Sequence, residues 1–185
     1  MSALAGALRR AGELLVEPAP AQAKPPATPL DVVVTALVAG AGSTTVARGL
    51  AHALQRRRPV ELRGPDSSEA VAAGPGTAIV RDTSPEEAGR LGHRGPGRVL
   101  VAVADARREP ALPALVTTIL AERHDRVVFV GNRVRDTEAW RAAGALSVPD
   151  SRLGAWLLRH DRQPFGAMAA AFAAIAAELQ LPGAR

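Results

Sequence analysis

Three short stretches of this 185-residue chain carry residues whose types and order could do chemistry. The first is Gly40-Ala41-Gly42-Ser43-Thr44-Thr45, which follows an apolar run and opens a helical pattern. Glycines at such a junction let backbone N–H groups converge at the positive end of a helix dipole, where an anion is favoured; a hydroxyl such as that of Thr44 could meet a magnesium ion there. The same two glycines, Gly40 and Gly42, would equally serve a tight strand-to-helix turn. The second stretch is Asp82-Thr83-Ser84-Pro85, in which Ser84, Pro85 and Glu87 also read as N-cap, N1 and N3 of a capping box. The third is Asn132-Arg133, where the asparagine could serve a ligand or simply bond adjacent backbone.

These stretches matter because of the elements that must carry them. "DVVVTALV", "PVELR", "TAIVRD", "RVLVAVAD" and "RVVFVGN" read as five strands rich in Val, Ile and Leu. Helical patterns follow the first strand, with Val46, Leu50, Ala53 and Leu54 inward, and lie around Pro110 to Arg123, Asp136 to Ala143, Ser151 to Arg159 and Phe165 to Leu181. In the last of these, Met168, Phe172, Ile175 and Leu179 recur at helical spacing and predict a core helix. Apolar strands alternating with helices predict an α/β fold, a doubly wound, mostly parallel sheet covered on both faces. In such a sheet ligands bind at the carboxyl ends of the strands, which is where the three stretches fall. Val148-Pro149-Asp150 reads as a late turn at the same edge.

Ahead of this domain, assigned to residues 30–182, residues 1–17 read as an amphipathic helix with Leu4, Leu8 and Leu15 on one face. Residues 18–29 form a proline-rich linker that cannot be helical. A helix tethered in this way is either a docking peptide for a protein partner or a flap over the domain's own apolar surface.

Composition removes several classes. Cysteine is absent, which excludes disulfides and thiol chemistry, and four scattered histidines lack the spacing of a zinc site. The net charge is +5 and the pI about 11.2. Lys24 is the one lysine, so the basicity is carried by arginine. The run Arg56-Arg57-Arg58 reads as a solvated helix end ahead of a nucleic-acid patch, and aromatics at 3% are too few to stack single strands. No apolar run spans a bilayer and the N-terminus lacks the order of a secretory signal, so a cytoplasmic protein without membrane insertion is expected.

Taken in order, Val38 to Thr45, the helix "VARGLAHAL", Asp82-Thr83-Ser84-Pro85, Asn132-Arg133 and Val148-Pro149-Asp150 resemble the ParA/MinD group of P-loop ATPases, including its TadZ/CpaE-like and BcsQ-like relatives. The resemblance runs from about Leu30 to Leu181. It implies a nucleotide site at Gly40, Ala41, Gly42, Ser43, Thr44, Thr45, Asp82, Asn132 and Arg133, ATP or ADP as ligand, and magnesium at Thr44 and Asp82 when nucleotide is bound. It also implies a possible homodimer and a role in recruiting or positioning a larger assembly.

The departures are as informative. The family's loop lysine falls on Ser43, and its second signature lysine, which acts across the dimer, falls on Val38. Between the second and third strands, "GPDSSEAVAAGPG" is too short for the family's helix and switch, and Asp66 is its acid nearest the second strand. Phosphoryl transfer depends on positioned charge, so a P-loop scaffold without hydrolysis is expected. Two other readings compete. Gly40-x-Gly42 followed by "VELR" imitates an NADP-binding Rossmann unit with Arg63 on the 2′-phosphate, and a small phosphotransferase could use the same loop.

Overall fold

The structure is a computed structural model that describes residues 28–64, 74–91, 97–107 and 109–180. The expected N-terminal helix with Leu4, Leu8 and Leu15, most of the linker, and Asp66 lie outside the described residues.

The strands are β1 (Leu30–Ala36), β2 (Val60–Arg63), β3 (Ala78–Thr83), β4 (Arg98–Asp105), β5 (Val127–Val134) and β6 (Leu146–Pro149). The helices are α1 (Ser43–Gln55), α2 (Pro85–Arg90), α3 (Ala111–Ala121), α4 (Thr137–Ala142), α5 (Arg152–Arg159) and α6 (Gly166–Glu178). The six strands form one sheet in the order β2-β3-β1-β4-β5-β6, and every pairing is parallel. This is the doubly wound α/β fold, consistent with a P-loop NTPase-like domain.

Near-continuous apolar strands require cover on both faces, and alternate residues of each strand supply the two cores. Val32, Val34, Val80, Val101 and Val130 point to one face, where α1 and α6 pack through Leu50, Leu54, Phe172 and Ile175. Met168, Phe172, Ile175 and Leu179 are all buried, as their spacing predicts. Gly49 lets α1 and α6 approach closely, since a Cβ there would lie 2.2 Å from the Phe172 ring. On the other face Phe129 meets Trp140 of α4, and Val33 and Leu100 meet Ala88 of α2. The chain leaves β1 toward β3 and β2 but later builds β4, β5 and β6 on the opposite side. That reversal opens a crevice at the carboxyl ends of β1 and β4.

One buried cluster on the second face is ionic. Asp31 of β1 accepts from Arg81 Nε at 2.8 Å and from Arg98 at 2.7 and 3.0 Å, so one carboxylate serves two arginines from the flanking strands. Each of its oxygens is engaged, as burial of such charges requires.

The structure corrects several local expectations. β1 stops at Ala36, so Leu37 and Val38 belong to the loop. β3 includes Asp82 as expected and runs one residue further, to Thr83. β5 runs on through Asn132 and Arg133 to Val134, with its register to β6 shifted between Asn132 and Val134. Leu146–Pro149 is a sixth strand, paired with β5, so only Asp150 remains of the expected turn. Arg58 is buried and donates to the Thr28 carbonyl at 3.0 Å. It therefore ties the chain entering β1 to the end of α1 and is not part of a solvated terminus.

Candidate functional site

The loop after β1 is built by tethers on both sides. Leu37 N–H donates to Val103 O at 2.8 Å, which holds the departing chain against β4, and Ala41 N–H closes a turn on Val38 O at 3.2 Å. Gly40 and Gly42 take left-handed φ values of 75° and 87°, which glycine adopts without the cost other residues bear. At Gly42 glycine is also sterically required, because a Cβ would stand 2.3 Å from Asn132 Nδ2. Ser84, Asp136 and Ser151 cap α2, α4 and α5 with their side chains, and the Ser84 bond to Glu87 N–H is the one its capping box predicts. Gly42 can offer α1 no such cap. The first N–H groups of α1 therefore keep the capacity to bind an anion that the sequence suggests.

Two expected partners meet on the β3 side of this turn. Thr44 Oγ1 donates to Asp82 Oδ2 at 2.5 Å, which joins the start of α1 to the strand beside β1. Both are hard oxygen donors of the kind magnesium accepts alongside phosphate and water, so the pair fits that ion. Among the described residues, no group of three or more His, Asp or Glu side chains could hold a metal without a ligand's help.

On the β5 side the loop is gripped through its carbonyls. Asn132 Nδ2 donates to Ala41 O at 2.9 Å, and Arg133 donates to Gly40 O. Arg133 manages this from a left-handed backbone, φ 66°, at the register shift of β5. Its guanidinium also reaches Asp105 Oδ2 at 3.0 Å at the end of β4. Burial pushes the Asp105 carboxyl up, but hydrogen bonds from Arg107 and the charges of Arg133 and Arg107 outweigh it and hold the pKa below its ordinary value. Asn132 thus does bond nearby backbone, as one of its two sequence readings has it. The backbone it bonds is the glycine loop itself.

A cleft of about 410 Å³ opens beside this grip, between the start of α1 and α5. Gly42, Thr45, Asn132, Arg133, Arg152 and Arg159 are among its walls. Two side-chain atoms of these residues, Asn132 Oδ1 and Arg133 Nε, are buried without a partner among the described residues. The Asn132 amide cannot be turned round to satisfy its oxygen, because its nitrogen must face the Ala41 carbonyl.

Six of the nine residues expected at the site thus fall into two sets. Thr44 and Asp82 pair on the β3 side, while Gly42, Thr45, Asn132 and Arg133 face the cleft. Ala41 turns its methyl into the core and takes part through its carbonyl alone. Gly40 shapes the loop, and Ser43 opens α1. The sequence reading missed the Asp105 contact with Arg133 and the arginines of α5. Asp105 had a signal, an acid at the end of the fourth strand, whereas Arg152 and Arg159 had none until α5 was seen folded against α1.

No helix among the described residues is long and apolar enough to cross a membrane. The chain matches no family model and no curated protein.

Proposed function

We propose that this chain is a degenerate ParA/MinD-like P-loop protein that binds a nucleotide without hydrolysing it and serves as a recruitment or positioning module for a larger assembly. The observation that carries the reading is a glycine loop that keeps its anion-binding form and its Thr44–Asp82 bond while carrying Ser43 and Val38 where the family has lysines. Bound nucleotide would meet the N–H groups at the start of α1, and magnesium would meet Thr44 and Asp82. Arg133 touches the loop through Gly40 O, and its guanidinium shares Asp105 with Arg107. With Ser43 and Val38 in place of the family's lysines, the loop itself carries no cation for the terminal phosphate, and transition-state stabilisation depends on such charge. A dimer, if formed, would not use a lysine reaching across to its partner's nucleotide.

The Rossmann alternative is disfavoured by strand order. Its order places the second strand beside the first, 3-2-1-4-5-6, whereas here β3 intervenes between β1 and β2. Arg63 is also engaged with Glu61 at 2.8 Å. A phosphotransferase would need the same missing lysine.

Hydrolysis is the test. With magnesium and ATP, the purified chain should release phosphate no faster than its Thr44→Ala variant at any protein concentration. Turnover that rises with concentration and falls in the variant would refute the reading.

A further inference from the structure

We infer that residues 1–17 fold as a helix along α3 and cover its exposed apolar stripe, Leu112, Leu115 and Ile119, with Leu4, Leu8 and Leu15. Of the two readings of that segment, docking peptide or flap, this is the flap. It concerns the sheet face opposite α1 and holds whether or not a nucleotide is bound.

The first support is α3 itself. From Ala111 to Ala121 it carries no charged residue. Its two threonines turn their hydroxyls inward along the helix, Thr117 donating to Pro113 O at 2.9 Å and Thr118 to Ala114 O at 3.1 Å. One side of the helix rests on the sheet, where Ala114 packs on the Phe129–Trp140 cluster and Leu120 on Val33 and Leu100. The other side is apolar as well, with Leu112, Leu115 and Ile119 exposed by 68%, 57% and 46%. Large apolar side chains three and four residues apart, facing water together, form the kind of surface that packs against a second helix.

The second support is the chain that precedes the described residues. Leu4, Leu8, Ala11 and Leu15 recur at the same three- and four-residue steps. A lone helix of that length is marginal in water, so its apolar face needs a surface to fold on. The described chain begins at Thr28, whose carbonyl Arg58 holds at 3.0 Å, and enters β1 at Leu30. Because the strands are parallel, this is the sheet edge at which α3 ends and β5 begins. Only β4 separates β1 from β5, so the sideways distance is about 10 Å at the usual strand spacing. Residues 18–27, if extended at ~3.1 Å per residue, reach roughly 31 Å. The helix α3 is about 16 Å long, so its whole stripe is within range.

The third support is area, which selects this occupant over a second copy of the chain. Among the described residues, the other large exposed apolar side chains are Leu62, Leu153, Trp156 and Phe165, none of them on α2, α3 or α4. Three side chains on one short helix fall well below the roughly 1,200 Å² that stable association of free molecules needs. A tethered segment meets the stripe at an effective concentration of about millimolar, so a small contact suffices.

Amide hydrogen exchange on the full chain tests this, with a synthetic peptide of residues 1–17 as reference. Amides of residues 4–15 should exchange at least about tenfold more slowly in the full chain than in the peptide, at every protein concentration. Leu115→Glu should return them to within about twofold of the peptide, whereas Leu153→Glu, which alters an exposed leucine of α5, should leave them protected. A second measurement serves if Leu115→Glu fails to fold. The chain has no cysteine, so a short bismaleimide should bridge Ala7→Cys to Thr118→Cys within one molecule, and should not bridge Ala7→Cys to Leu153→Cys. Peptide-like exchange of residues 4–15 in the parent, protection that survives Leu115→Glu, or the opposite bridging pattern would overturn the inference. Protection that fades on dilution, with a dimer mass in light scattering, would overturn it in favour of a second copy on α3.

Discussion

Replacing Asp31 with asparagine should be among the most damaging single changes to this fold, although Asp31 lies away from the candidate site. Its carboxylate is paired with both Arg81 and Arg98, and the side chains of Asp31, Arg81 and Arg98 are 10%, 4% and 24% exposed. Asparagine keeps the shape, so the loss is one of charge, and it leaves two guanidinium groups facing each other across β1. Removing one member of a buried ion pair costs about 3–5 kcal/mol, and the partial exposure of Arg98 argues for the lower end. At roughly 2–4 °C per kcal/mol for a chain of this size, about 3 kcal/mol lowers Tm by roughly 6–12 °C. Thermal unfolding followed by circular dichroism at neutral pH and moderate salt would measure it. Because apolar replacement of a buried ion pair is often neutral, Asp31→Leu combined with Arg81→Met should return to within about 1 kcal/mol of the parent, with Arg98 able to reach water. A loss below about 1 kcal/mol for Asp31→Asn, or a double variant less stable than the single one, would refute this account.

Two other changes probe the packing and the electrostatics near the loop. Gly49→Ala puts a methyl 2.2 Å from the Phe172 ring, so overpacking should cost about 1–3 kcal/mol in urea unfolding, and Phe172→Leu in the same chain should recover part of it. Asp105 has a folded pKa below its unfolded value, so its stabilising contribution is present above the ordinary carboxylate range and is lost as the pH falls through the depressed value. The stability lead of the parent over Asp105→Asn should therefore be largest near neutrality and shrink below about pH 4; a lead that grows on acidification would refute the assignment.

What the sequence reveals about this molecule follows the range of the forces involved. The cap of α2 is legible because Ser84, Pro85 and Glu87 act over three residues. The buried face of α6 is legible because its spacing alone selects Met168, Phe172, Ile175 and Leu179. The end of β5 is not, since Arg133 takes its left-handed conformation in order to reach Gly40 and Asp105, which are distant in sequence. β6 escapes notice because four residues ending in proline look like a turn until β5 is there to pair with them. Arg58 looks like surface until the Thr28 carbonyl arrives to accept its hydrogen bond. At the site, the glycines and Thr44 can be read from their order, whereas the cleft exists only once α5 lies beside α1.

The grip on the glycine loop has a consequence for timing. With the carbonyls of Gly40 and Ala41 already held by Arg133 and Asn132, the loop is shaped in advance of any ligand. A ligand entering such a loop has little disorder to remove, which favours affinity. By the same token it has little conformational difference to act upon, and a ligand shifts an equilibrium only by its unequal affinity for two states. A nucleotide held here would leave the loop much as it found it, and its arrival or departure would send little signal to the rest of the fold.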